Sequence, residues 1–168
     1  MGGVNNHFMD DILSKLSYYY EGTFACDEVL DFIPKCHRGS PLKSSIVVNT
    51  LPSHLRSDGH YFAICHNKLQ KSVFLFDPLG LEHQDPNINA YIKKIVRLTG
   101  WTIIPSPIPI QAYGSISCGL MVISFILQHD MENSSFRPLT FVNHFTYPPT
   151  LENDTIACNL ILKYISRL

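Results

Sequence analysis

Gly59-His60-Tyr61-Phe62-Ala63-Ile64-Cys65, then the polar segment His66-Asn67-Lys68-Leu69-Gln70-Lys71, then Val73-Phe74-Leu75-Phe76-Asp77 predict a β-hairpin. The two flanking stretches are rich in β-branched and aromatic residues, the composition of strands, and the middle one is a turn. If His66 and Lys71 form the last pair around that turn, antiparallel register sets His60 directly opposite Asp77. Directly opposed Cβ atoms lie about 4.5 to 5.5 Å apart, close enough for a carboxylate to accept the imidazole N–H and fix its tautomer. Alone, such a pair is more often a surface ion pair than a chemical site.

Cys118 supplies the missing third group. It follows the polar turn Tyr113-Gly114-Ser115 and opens the run Gly119-Leu120-Met121-Val122-Ile123-Ser124-Phe125-Ile126-Leu127-Gln128, apolar on nearly every face, as in a helix at a domain centre. A sulfur at the start of that helix, beside an imidazolium, is favoured as the reactive thiolate. Attack on a carbonyl would create an oxyanion, for which the Cys118 backbone N–H and the Gln111 side-chain amide are candidate donors. Pro105, Pro107 and Pro109 hold the chain extended up to Gln111.

Around this centre, Phe8, Ile12, Leu16 and Tyr19 or Tyr20 recur at helical spacing behind the candidate caps Asn5 and Asn6, and Gly22 is expected to stop that helix. A Pro- and Gly-punctuated connector through Pro41 then leads to a short strand at Ile46-Val47-Val48. Asp85-Pro86 caps a helix with Ile88, Ile92, Ile95 and Val96 inward. Trp101 to Ile104 reads as a strand, and Leu151 to Leu168 as a last helix with Ile156, Leu160 and Tyr164 on one face. The fold class is therefore α+β: a central, mostly antiparallel sheet packed between helices, in one domain over 1–168.

Composition limits what such a domain does. With 13 basic and 14 acidic residues among 168, and no run of either sign, neither general nucleic-acid binding nor an anionic membrane is expected. No apolar stretch approaches the roughly 20 residues that span a bilayer, and no basic-then-apolar leader is present, so a soluble protein is expected. Met1-Gly2-Gly3-Val4-Asn5-Asn6 puts Asn6 where an acylation signal prefers Ser or Thr. The five cysteines, Cys26, Cys36, Cys65, Cys118 and Cys158, show no Cys-x-x-Cys spacing, which argues against disulfides and zinc and for a reducing compartment. Cys26, Cys65 and Cys158 read as inert packing residues, and no metal site is expected.

Gly59-His60-Tyr61-Phe62-Ala63, Phe74-Leu75-Phe76-Asp77-Pro78-Leu79-Gly80, Gln111 and Cys118-Gly119-Leu120, in that order, resemble the adenain-type cysteine proteases, the maturation proteases of adenoviruses. More distantly they resemble the SUMO-specific ubiquitin-like-protein proteases. Glu21-Gly22-Thr23-Phe24 and Val47-Val48-Asn49-Thr50 are similar to adenain segments too, so the likeness covers most of 18–128. It implies a papain-like site with Cys118 as nucleophile, His60 as general base and acid, Asp77 as its orienter and Gln111 as oxyanion donor. Gly59, Tyr61 and Gly119 would border the substrate, and cleavage would fall after small residues in Gly-Gly or Gly-x contexts of a protein or polyprotein.

Departures from the pattern restrict what else the resemblance implies. Tyr61 stands where a tryptophan is usual, keeping an aromatic lid without its indole donor. Asp77 replaces adenain's glutamate, as in the SUMO-protease type. The near-neutral charge does not support a DNA activator, and the absence of a cysteine around Leu98 to Trp101 does not support a disulfide-linked peptide activator, so no cofactor is expected. A monomer is expected, in a virion and the nucleus or cytoplasm of its host cell. Deconjugation of SUMO or another ubiquitin-like modifier, and acyl transfer by the same three groups, remain the alternatives.

Overall fold

The computed structural model describes residues 6–49, 60–80, 86–112, 118–132 and 135–166. In chain order the elements are α1 (Asn6–Leu16), β1 (Tyr20–Ala25), a 3-10 turn (Val29–Asp31), α2 (Lys35–Arg38), β2 (Lys43–Asn49), β3 (Tyr61–Asn67) and β4 (Ser72–Phe76). There follow α3 (Pro86–Thr99), β5 (Thr102–Pro105), α4 (Cys118–Met131), α5 (Pro138–Val142) and α6 (Glu152–Ile165). The strands lie in sequence order, β1-β2-β3-β4-β5. The inner pairs β2–β3 and β3–β4 are antiparallel, and each edge strand adds in parallel.

Both faces of the sheet are buried, and the period-two alternation of strand side chains divides the core in two. Val47, Tyr61, Ala63, Cys65, Phe74 and Phe76 face one cluster with Met9 and Leu13 of α1, the apolar face of α4, and Ala157 and Ile161 of α6. Ile46, Val48, Phe62, Ile64 and Val73 face the other, with Ile88, Tyr91 and Ile95 of α3. The α4 run is buried from Met121 to Leu127 because it is sandwiched between the sheet and α6, as its all-round apolar sequence requires.

Two interactions fix α4 against the sheet. Phe125 stacks on Phe76, the last residue of β4, with centroids 4.5 Å apart and planes 4° from parallel. Truncating one such buried ring costs about 3 to 5 kcal/mol. At the far end, the Lys43 ammonium donates to the carbonyls of His129 (2.7 Å) and Glu132, where a cation complements the helix dipole. The Asp130 carboxylate there accepts from Ser17, Ser45 (2.6 Å) and His129 Nδ1 (2.7 Å), tying together α4, β2 and the end of α1.

Several local expectations need correction. The first helix ends at Leu16, and Gly22 lies inside β1, where φ of +135° and a register shift between Tyr20 and Gly22 call for glycine. Phe8 is 44% exposed whereas Met9 and Leu13 are fully buried, so α1 presents the adjacent row of its apolar face. Likewise Val96 is exposed and Tyr91 buried in α3, while Ala157 and Ile161 lie deeper in α6 than Ile156 and Leu160. Asn5, Asp85 and the segment 113–115 fall outside the described residues. Among the described residues no helix is long and apolar enough to cross a membrane.

Candidate active site

The hairpin forms, with its four-residue turn one position later than expected. Asn67 pairs with Ser72 and Ala63 with Phe76, so the register, continued outward, sets His60 diagonal to Asp77 and not opposite it. The displacement is two residues in the pairing, which preserves the face on which each side chain sits. The two still meet: His60 Nε2 lies 2.5 Å from Asp77 Oδ1.

Asp77 is held by its own turn. Its Oδ1 accepts the Leu79 N–H (2.9 Å) and its carbonyl accepts the Gly80 N–H (2.8 Å), with Pro78 pre-setting the first turn position. Gly80 has φ of +66°, and a Cβ there would meet the Pro109 nitrogen at 2.8 Å. The close approach exists because the Pro78 carbonyl accepts the N–H groups of both Ile110 and Gln111, each at 2.8 Å. The acid's turn thereby docks the extended segment that ends at Gln111, and the prolines leave it few other conformations.

Cys118 is the first residue of α4 and is half-buried, while Gly119 beside it is buried. The His60 ring bonds Asp77 through Nε2, and its side chain also hydrogen-bonds Cys118. Burial disfavours the imidazolium. The hydrogen bonds to Asp77 and Cys118, with the charges of both, outweigh that penalty, and the His60 pKa is pushed up to about 9. An imidazolium at neutral pH, in contact with sulfur at a helix start, is the arrangement that makes a thiolate a nucleophile.

His60 thus contacts both Asp77 and Cys118, and Gln111 joins them through the backbone of the Asp77 turn. Tyr61 does not form a lid: it is 4% exposed and packs in the cluster on the α4 side, because the first residue of β3 follows the sheet alternation inward. Gly59 lies outside the described residues. Asn153, which carries no motif or periodicity to single it out, is fully buried at the start of α6 and donates to the Ile110 carbonyl (2.8 Å). Behind Asp77, between α3 and the sheet, Phe62, Leu75, Ile88, Ile92 and Ile103 line a largely apolar cavity of about 430 Å³.

Against solved structures, the chain matches the ASFV pS273R protease over 95% of its own length and 66% of that chain, with 12% identity and a TM-score of 0.60. The fold is that of this protease. The AvrA delL154 structure with IP6 and CoA matches over 96% of this chain and 67% of that one, at 13% identity and a TM-score of 0.51. The SUMO protease Ulp1, with its catalytic cysteine oxidised to a sulfenic acid, matches over 96% and 78%, at 14% identity and 0.49. No protein-family model matches the sequence, and no curated protein does. The expected α+β class therefore stands, with the fold of a solved viral protease. The chain spans about two thirds of the length of the pS273R chain.

Proposed function

We propose that this chain is a cysteine peptidase that cleaves protein substrates after small residues, with Cys118 as nucleophile. The observation that carries this reading is the His60 side chain hydrogen-bonded to both Asp77 and Cys118, with the sulfur at the start of a buried helix. The pS273R protease, whose fold it shares, is named as a protease of ASFV.

In this mechanism the Cys118 thiolate attacks the scissile carbonyl carbon, and the carbonyl π electrons move to oxygen. The Cys118 N–H and the Gln111 amide donate to that oxyanion. Collapse expels the amine, which takes its proton from the His60 imidazolium, and leaves a thioester on Cys118. Neutral His60 then removes a proton from water, the hydroxide displaces sulfur, and acid product and thiolate are restored. Asp77 holds Nε2–H throughout, so that Nδ1 always faces the sulfur and the substrate.

The biological setting we infer is processing of viral precursor proteins, by a monomer with no DNA or peptide activator, in an infected cell or the assembling particle. Glycine specificity would follow from a cleft too narrow for a Cβ. Cleavage should be profiled on peptides containing Gly-Gly and Gly-x sites, beside SUMO and ubiquitin carrying a C-terminal electrophile. Peptide cleavage without modifier labelling is the expected result. Labelling of Cys118 by a modifier would point to deconjugation, and acyl transfer without hydrolysis would remove the peptidase.

A further inference from the structure

The peptide unit joining Ile110 to Gln111 is gripped from both ends. Its N–H donates to the Pro78 carbonyl (2.8 Å), and its carbonyl accepts from Asn153 Nδ2 (2.8 Å). The Asn153 amide is fully buried and uses both ends. Nδ2 also donates to the Thr146 carbonyl (3.1 Å), and Oδ1 accepts the Thr146 N–H (2.8 Å) and hydroxyl (3.1 Å). No other side-chain type offers two donors and an acceptor in that volume.

We propose that Asn153 is a positioning residue for Gln111: it sets the plane of the Ile110–Gln111 peptide and thereby the direction in which the Gln111 side chain leaves the backbone. The assignment rests on the peptidase reading above. Ile110 is fully buried and Gln111 nearly so, and Pro109 precedes them, so this peptide plane has few other ways to be fixed. Because Pro78 follows Asp77 directly, one turn carries the acid and one side of the grip on the donor. Asn153 supplies the other side from the C-terminal helix, and couples that helix to the site.

An oxyanion donor serves attack on a carbonyl and has no part in alkylation at a saturated carbon, which separates it from a general effect on the Cys118–His60 pair. Asn153→Ala should lower kcat on a Gly-Gly peptide roughly ten- to a hundred-fold with KM nearly unchanged, because a misplaced group about 1 Å out of position costs on that order. Its rate of alkylation by iodoacetamide should stay within about two-fold of the parent. Asn153→Asp keeps the shape and the bonds accepted from the Thr146 N–H and hydroxyl while losing those donated to the Ile110 and Thr146 carbonyls, and should behave alike. In a Gln111→Ala background either substitution should add little further loss.

Equal slowing of hydrolysis and alkylation, undiminished loss in the Gln111→Ala background, or failure of both Asn153 variants to fold would each overturn the assignment. A parent chain that cleaves none of the peptides would instead remove the peptidase reading, and this assignment with it. Parent-like kcat in folded Asn153 variants would remove only the role of Asn153.

Discussion

His60 Nε2 donates to Asp77 Oδ1 across 2.5 Å although the sheet register sets the two residues diagonal to one another. The bond forms because both lie just beyond the paired strands, where the Asp77 turn, not the ladder, directs the carboxylate.

The pH dependence of cleavage follows from this pair. In the proposed mechanism His60 must be protonated to discharge the leaving amine, and its pKa is pushed up to about 9. The alkaline limb of kcat/KM should therefore lie near pH 9. Asp77→Asn keeps the size of the side chain but removes the charge that supports the imidazolium. The limb should move toward neutral pH, and kcat should fall on the order of a hundred-fold. An unmoved limb in Asp77→Asn would show that another group holds the ring.

Two cysteines make a direct test of the nucleophile. Cys118→Ala should abolish cleavage of a Gly-Gly peptide, whereas Cys158→Ala, on the exposed side of α6, should leave it nearly intact. His60→Ala should be as severe as loss of the sulfur, since such groups act as a unit. Comparable rates in the two cysteine variants would refute the assignment of Cys118.

The central hairpin, the α4 run and the order His60, Asp77, Gln111, Cys118 were legible in the sequence because each carries a strong local signal: period-two strands, an unbroken apolar helix, a turn with proline and glycine. The register was not, since a turn that begins one residue later leaves the same composition on the same faces. Nor was Tyr61, whose burial is decided by which sheet face α4 covers. Asn153 and Lys43 were invisible for a related reason. Each acts on backbone carbonyls distant in sequence, Ile110 and the end of α4, and backbone acceptors have no sequence signature.

Acid should weaken the fold through His66. Its ring is fully buried between the Ser44 carbonyl (2.6 Å) and the Tyr91 hydroxyl (2.7 Å), which suit a neutral imidazole with one donor and one acceptor nitrogen. Burial holds its pKa down to about 4, below the ordinary 6.5. The neutral ring's contribution is therefore fully present above pH 6.5 and is lost as pH falls toward 4, amounting to on the order of 3 kcal/mol. His129, lowered by its own burial, adds in the same direction. Urea unfolding between pH 7 and 4.5 should show this decline, and His66→Gln should flatten part of it. An identical slope in that variant would assign the acid sensitivity elsewhere.

Gly80 and Gly100 separate backbone conformation from close approach. Both have positive φ, +66° and +71°, so alanine at either should cost about 1 to 2 kcal/mol in stability. At Gly100, which ends α3, a Cβ meets nothing within 4 Å; at Gly80 it meets Pro109 at 2.8 to 2.9 Å, and the nearest atom is backbone nitrogen. That contact must be relieved by moving the Pro109–Gln111 segment away from the Asp77 turn. Gly100→Ala should therefore lower the melting temperature without changing kcat on a Gly-Gly peptide. Gly80→Ala should lower both, with a fall in kcat of roughly ten-fold or more as Gln111 shifts. Equal kcat in the two variants, measured well below their melting temperatures, would mean that the position of Gln111 does not matter to turnover.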